Sequence, residues 1–115
     1  VKLNSVIKSI GSSAFAGCTS LKTFAAGKAT ASIGSKAFSG CTKLQSVTLS
    51  SATKKIGSSA FLNCKNITKL VVNQKVKVSK NAFKGCKKTI KVSGKAANKK
   101  YTVEQIKKSG YKKVK

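Results

Sequence analysis

The chain lacks several residue types on which most enzyme and metal sites depend. Its 115 residues include no Asp, His, Arg, Pro, Met or Trp, and Glu104 is its only carboxylate side chain. Ser-His-Asp triads, paired-carboxylate glycosidase sites, calcium cages and His-ligated metal sites all need residues that are missing here. We therefore expect no enzyme activity, no cofactor and no metal site.

Long apolar runs and targeting signals are missing as well. No stretch approaches the roughly 20 apolar residues of a membrane-spanning helix, so we expect no transmembrane segment. The chain shows no signal-peptide pattern and begins with Val1 rather than Met. We interpret it as a piece of a longer protein.

Lysine, by contrast, is abundant. Twenty-five lysines against one acidic residue give a net charge of +24, with six lysines in residues 1–50 and nineteen in residues 51–115. A polyanion would relieve the resulting repulsion by replacing condensed counterions, whereas a purely solvating surface would keep copies of the chain apart. Both interpretations stay open. Sequence-specific reading of DNA or RNA favours Arg and exposed aromatic rings, so we expect none here.

A repeated motif organises most of the chain. Near copies of the string Ile-Gly-Ser-x-Ala-Phe-x-Gly-Cys begin at Ile10, Ile33 and Ile56, and a weaker copy begins at Val78. The cysteines that end them are spaced by 23, 23 and 22 residues, and an L-x-x-L-x-L pattern follows each of the first three. A period in the twenties with this pattern is typical of a solenoid built from leucine-rich coils.

The motif predicts the path of each coil. We expect an α/β solenoid, a right-handed coil with a short parallel β-sheet on one face and a single helical turn on the other. The Ala-Phe segment would form the helical turn, and Gly or Asn in a left-handed conformation would end it. The serines predicted to cap the turn by accepting a backbone N–H are Ser12, Ser35 and Ser58. The predicted terminating residues are Gly17, Gly40, Asn63 and Gly85.

The period divides the chain into three segments. Residues 1–9 are interpreted as the tail of a truncated preceding repeat, with Val1 and Leu3 at its last strand positions. Residues 10–93 form four repeats of 22–23 residues. Residues 94–115 form a loop and a C-terminal cap that covers the last coil.

Within the cap we expect one short helix at about residues 103–108. It would start with a capping box over residues 102–105, and Tyr101 and Ile106 would form a hydrophobic staple. Residues 111–114 would add a last strand.

The string I-G-x-x-A-F-x-x-C-x-x-L, repeated over residues 1–93, resembles the BspA-like leucine-rich repeat family of bacterial surface proteins. The resemblance implies a curved solenoid in a secreted or surface-anchored bacterial protein. It also implies a role in adhesion to host matrix, host cells or other bacteria. The family shares no catalytic residues and no common ligand, so the resemblance assigns no site residue.

The repeat places phenylalanines and cysteines at inward positions, where we expect them to stack in an internal spine. The predicted spine residues are Phe15, Phe38, Phe61, Phe83, Cys18, Cys41, Cys64 and Cys86. Equivalent side chains on successive coils point the same way, which suits neither a disulfide nor a zinc site. We expect free thiols that behave as small buried apolar groups. The alternative is an exposed, activated thiolate.

The outward strand positions form the candidate binding face, because solenoids commonly bind ligands along their sheet. The candidate residues are Thr23, Ala25, Ser46, Thr48, Lys69, Val71, Asn73 and Lys91. None of them is a Trp, Tyr or Arg, the residues that usually anchor a protein interface.

The residues and the resemblance together predict a non-catalytic, monomeric segment of a bacterial cell-surface or secreted protein. Its role would be adhesion, or the binding of a protein or polyanion through a strongly basic surface. The expected partners are anionic polymers, such as a wall polymer or a glycosaminoglycan, or a host or bacterial surface protein. The alternative is a pure spacer or stalk without a ligand, in which the charge serves only solubility.

Overall fold

The chain winds into four stacked coils, and a helix follows the last one. The computed structural model describes residues 4–115, so the strand positions predicted for Val1 and Leu3 lie outside the described residues. Each coil contributes two short strands. The strands are β1 (Ser9–Ile10), β2 (Thr23–Ala25), β3 (Ser32–Ile33), β4 (Ser46–Thr48), β5 (Lys55–Ile56), β6 (Lys69–Val71), β7 (Lys77–Val78) and β8 (Lys91–Ser93), and the helix is α1 (Ala96–Lys108).

The strands confirm the predicted solenoid but form two parallel sheets where the sequence predicts one. The front sheet has the order β2-β4-β6-β8, and the side sheet has the order β1-β3-β5-β7. Equivalent residues of successive coils pair in register, as Phe24 does with Val47 and Ile33 with Ile56. The sequence does not predict the side sheet, because its strands are only two residues long and show no alternation of apolar and polar residues.

The predicted helical turn is a run of tight turns in the structure. In the second coil the N–H of Ala37 donates to the carbonyl of Gly34 (3.2 Å), while the N–H of Phe38 donates to Ala60 of the next coil (2.7 Å). The same alternation in the other coils adds a third set of hydrogen bonds between coils. A residue with positive φ starts each run, which prevents a helical start. These residues are Ser13, Lys36, Ser59 and Asn81.

The serines that precede the first three of these left-handed residues therefore do not act as the predicted helix caps. The hydroxyl of Ser35 donates to the backbone carbonyl of Ser58 (3.0 Å), and the hydroxyl of Ser58 donates to that of Lys80 (3.2 Å). The prediction that Ser12, Ser35 and Ser58 cap a helical turn is wrong, because the described chain has no helix start at this point. The terminating residues do adopt positive φ as predicted, namely Gly17, Gly40, Asn63 and Gly85.

The inward positions of the motif form the core. In the second coil all seven are 1% exposed or less, namely Ile33, Ala37, Phe38, Cys41, Leu44, Val47 and Leu49. The third coil is buried to the same degree. In the first coil Phe15 and Cys18 are only half-buried, because no described coil covers their outer side. Full burial of Phe15 and Cys18 would therefore need a covering layer on their outer side.

The phenylalanine rings stack along the solenoid axis at the spacing of the coils. Ring centroids lie 5.2 Å apart in the pairs Phe15–Phe38, Phe38–Phe61 and Phe61–Phe83, and the planes differ by 9° or less. Phe24 from the front sheet adds a tilted contact, with its centroid 4.6 Å from that of Phe38. Such ring pairs contribute about 0.5–1.5 kcal/mol beyond their buried area.

The helix α1 begins earlier than predicted and includes much of the predicted loop. Thr102 lies inside it, and its hydroxyl oxygen accepts the N–H of Val76 (3.3 Å). The side-chain oxygen of Gln105 accepts the N–H of Val78 (3.4 Å). The predicted capping box is therefore wrong. These two polar side chains instead satisfy backbone donors at the edge of the fourth coil, where the described part of the chain adds no further strand to the side sheet.

The predicted staple is wrong for the same reason, since both of its residues lie within α1. The ring of Tyr101 faces the ammonium group of Lys75, 6.0 Å from the ring centroid, and Ile106 is buried in the core. The helix is 13 residues long and carries several lysines. None of the described helical structure is long and apolar enough to cross a bilayer.

The last residues complete the cap by imitating a further coil. Val114 forms an isolated parallel bridge with Ile90, where a strand over residues 111–114 was expected. The ring centroid of Tyr111 lies 6.5 Å from that of Phe83, at the end of the phenylalanine stack. The helix and this segment together cover the fourth coil.

Candidate binding surfaces

The outward residues of the front sheet lie in columns along the solenoid axis. One column is Thr23, Ser46, Lys69 and Lys91. The other is Ala25, Thr48, Val71 and Ser93. The structure thus places seven of the eight predicted face residues on one sheet face. Apart from the two lysines, their side chains are short, so this face offers no projecting anchor for a partner.

Asn73, the eighth predicted residue, lies just beyond the front sheet, and its side chain holds two coils together. Its amide Nδ2 donates to the backbone carbonyl of Leu49 in the preceding coil (2.7 Å). Ser50 lies at the equivalent position one coil earlier, and its hydroxyl donates to the carbonyl of Thr30 (3.3 Å). Both residues stabilise the stack where the strands end.

Lysines repeat in register on both sheets in the third and fourth coils. Lys69 pairs with Lys91 on the front sheet, and Lys55 pairs with Lys77 on the side sheet. All four are exposed. Neighbouring strands are about 4.8 Å apart, so each pair places two positive charges close together. The sequence predicts the front pair but misses the side pair because it misses the side sheet.

The cysteines form a column inside the stack, and all four are free thiols. Cys41 donates from Sγ to the carbonyl of Phe15 (3.2 Å), and Cys64 donates to that of Phe38 (3.1 Å). Cys86 makes the same contact with Phe61 at 3.5 Å. These three thiols thus bind the backbone of the preceding coil, a role that the sequence alone does not reveal.

Burial suppresses the reactivity of the three buried thiols, Cys41, Cys64 and Cys86. Desolvation raises the pKa of Cys41 and Cys64, and it raises the pKa of Cys86 to about 12. The thiolate is the nucleophile and metal ligand, so a raised pKa opposes both kinds of chemistry. No group of three or more His, Cys, Asp or Glu residues within residues 4–115 is arranged to hold a metal ion.

Comparison with known proteins accounts for this architecture. A model of the BspA-type leucine-rich repeat region matches residues 1–112 in six copies. The chain belongs to the BspA-type leucine-rich repeat family. The match counts more copies than the four motif repeats and extends into the cap. No curated protein sequence matches this BspA-type chain closely enough to count as a relative.

Two solved structures share the fold of this BspA-type chain. A leucine-rich cell surface protein from Faecalibacterium prausnitzii A2-165 is 21% identical and covers 85% of the chain, with a TM-score of 0.58. A leucine-rich repeat protein of T. pallidum is 25% identical and covers 80% of it, with a TM-score of 0.52. The chain spans 33% of the first protein and 56% of the second.

The BspA-type coils provide a rigid frame that displays side chains at fixed intervals. Their core holds the thiols, the rings and most of the large apolar groups. Their surface displays hydroxyls, amides and above all ammonium groups.

Proposed function

We propose that the chain is a non-catalytic binding segment of a bacterial cell-surface protein and that it holds anionic polymers through weak, salt-sensitive contacts. Membership of the BspA-type family and the likeness to a cell surface protein support the location. The net charge of +24 is the observation that carries the proposed ligand class.

The stacking of coils concentrates this charge. Lys55 with Lys77 and Lys69 with Lys91 stand on adjacent strands, and Glu104 is the only carboxylate side chain available to offset them. A screening length of about 8 Å at physiological salt leaves charges on neighbouring strands in repulsion. A polyanion relieves this repulsion and gains entropy from the counterions that it releases.

Lysine also determines how selective the binding is. Its ammonium group acts as a compact point charge, whereas the guanidinium group of Arg forms oriented pairs with phosphate, carboxylate or bases. A surface with lysine and no Arg therefore binds by charge density. Wall polymers and glycosaminoglycans are ligands that can be bound by charge density alone. Sequence-specific recognition of nucleic acid requires oriented contacts that lysine does not provide.

The test measures the affinity for a sulfated polysaccharide as a function of salt. If about five lysines contact the polymer, the affinity falls roughly 100-fold between about 50 and 200 mM salt. The double variant Lys69→Gln, Lys91→Gln is expected to reduce the slope by about one for each lysine that contacts the polymer. Dextran, which is uncharged, serves as the control ligand. Affinity that stays constant over this salt range would contradict the proposal.

A second candidate function is that of a spacer without a ligand. It is favoured by the front face, whose outward side chains are short apart from Lys69 and Lys91 and include no Trp, Tyr or Arg anchor. The same measurement separates the two functions. A spacer shows no affinity for either charged polymer or dextran at physiological salt.

A further inference from the structure

A groove runs along the solenoid axis where the strands of the front sheet end. It has a volume of about 440 Å³ and is lined in part by Lys28, Ser51, Asn73, Lys95 and Asn98. The lining comes from all four coils and from the first turn of α1. A volume of this size lies within the range of roughly 300–1,000 Å³ that ligand sites occupy.

The two lysines of the groove stand at different levels of the stack. Lys28 follows β2 in the first coil, and Lys95 follows β8 in the fourth, so three strand spacings, about 14 Å, separate their backbones. The two lysines therefore reach the groove from its first and last coils. An extended ligand with several anionic groups fits this arrangement better than a single small anion.

Between the lysines the groove offers uncharged hydrogen-bonding groups. The Ser51 hydroxyl and the Asn98 amide form no side-chain hydrogen bond with residues 4–115. Asn73 is held in place because its Nδ2 donates to Leu49. Hydroxyl and amide side chains can both donate to and accept from the hydroxyl groups of a sugar.

We propose that this groove binds a segment of an acidic polysaccharide. Lys28 and Lys95 contact carboxylate or sulfate groups, and Ser51 and Asn98 hydrogen-bond to sugar hydroxyls. The inference rests on the proposed function and adds a site and a chemical preference to it. A charged polymer without sugar hydroxyls uses the lysines and the donor groups of Ser51 and Asn98 but not their acceptor oxygens.

The first test uses the charge-neutral double variant Ser51→Ala, Asn98→Ala. Its affinity for a sulfated oligosaccharide is expected to fall about tenfold, because two hydrogen bonds are lost. Its affinity for inorganic polyphosphate is expected to fall less, because phosphate oxygens only accept hydrogen bonds and leave the acceptor oxygens of Ser51 and Asn98 unused. An equal loss for both ligands, or no loss for either, would overturn the groove assignment.

The second test compares two pairs of lysines. The variant Lys28→Gln, Lys95→Gln is matched with Lys43→Gln, Lys84→Gln, whose residues are exposed and lie outside the groove. The groove pair is expected to weaken binding of the sulfated oligosaccharide more than the matched pair does. Equal weakening would overturn the groove while leaving general binding of polyanions intact. Failure of the unaltered chain to bind either polymer would overturn the proposed function as well.

Discussion

Replacing Phe38 by alanine removes one of the fully buried rings of the internal column. The side chain is fully buried, it stacks between Phe15 and Phe61 at 5.2 Å on each side, and Phe24 lies against it. Truncation of a buried Phe leaves a cavity and costs about 3–5 kcal/mol. The flanking rings belong to different coils, so the stack cannot collapse to fill the space without breaking its register. We expect a loss near the upper end of that range.

The loss is measured by urea unfolding followed by far-UV circular dichroism. Phe15→Ala is the matched control, because the same residue type at the same repeat position is only half-buried and is expected to cost less. Phe38→Leu covers the case in which the alanine variant does not fold, since leucine keeps part of the volume and should lower stability by a smaller, measurable amount. A cost below about 1 kcal/mol for Phe38→Ala, or an equal cost for Phe15→Ala, would refute the reasoning.

Three further predictions follow from contacts between coils. A Cβ at Gly57 would lie 2.8 Å from the carbonyl oxygen of Ile33, whereas a Cβ at Gly11 would meet nothing within 4 Å. Thermal unfolding should therefore show a large loss of stability for Gly57→Ala and almost none for Gly11→Ala. Thr102→Val leaves a buried N–H without its acceptor and should cost about 1–3 kcal/mol in chemical unfolding, while Thr102→Ser should retain most of the stability. Burial raises the pKa of the Cys86 thiol to about 12. The contribution of the buried neutral thiol to the free energy of unfolding is therefore complete below about pH 8.5, and it is lost as the pH rises toward the pKa of the folded state. Between about pH 8 and 10 the stability of the unaltered chain should therefore fall more steeply than that of Cys86→Ala; parallel curves would contradict the burial of this thiol.

The sequence predicts the core because the same inward apolar positions recur in every repeat. Ile33, Phe38 and Cys41 recur at a fixed period, and a side chain that recurs at this interval lies above its equivalent in the next coil. The columns of the front sheet follow from the same period. Their burial and register could be predicted without knowing the conformation of the connecting segments.

The connecting segments depend on contacts that no local pattern reveals. Lys36 adopts positive φ because its N–H donates to Ser58 of the next coil, and a helix-like string of residues does not show this bond. Thr102 resembles a helix cap in sequence, but its hydroxyl oxygen accepts a hydrogen bond from the N–H of Val76 at the edge of the fourth coil. Tertiary contacts outweigh local propensity at both points.

The candidate sites were predictable to different degrees for the same reason. The front-sheet lysines Lys69 and Lys91 follow from the repeat. The groove between Lys28 and Lys95 joins residues that lie far apart in the sequence and at different positions of the repeat, so only the stacked structure brings them together.

The central claim is that each coil lies in register on the next, and contacts between phenylalanine rings test it most directly. With selectively labelled phenylalanine, nuclear Overhauser effects should link Phe15 to Phe38, Phe38 to Phe61 and Phe61 to Phe83, whose centroids are 5.2 Å apart. Rings two coils apart should show no contact. Missing contacts between successive rings, or a direct contact between Phe15 and Phe61, would contradict the stacked solenoid.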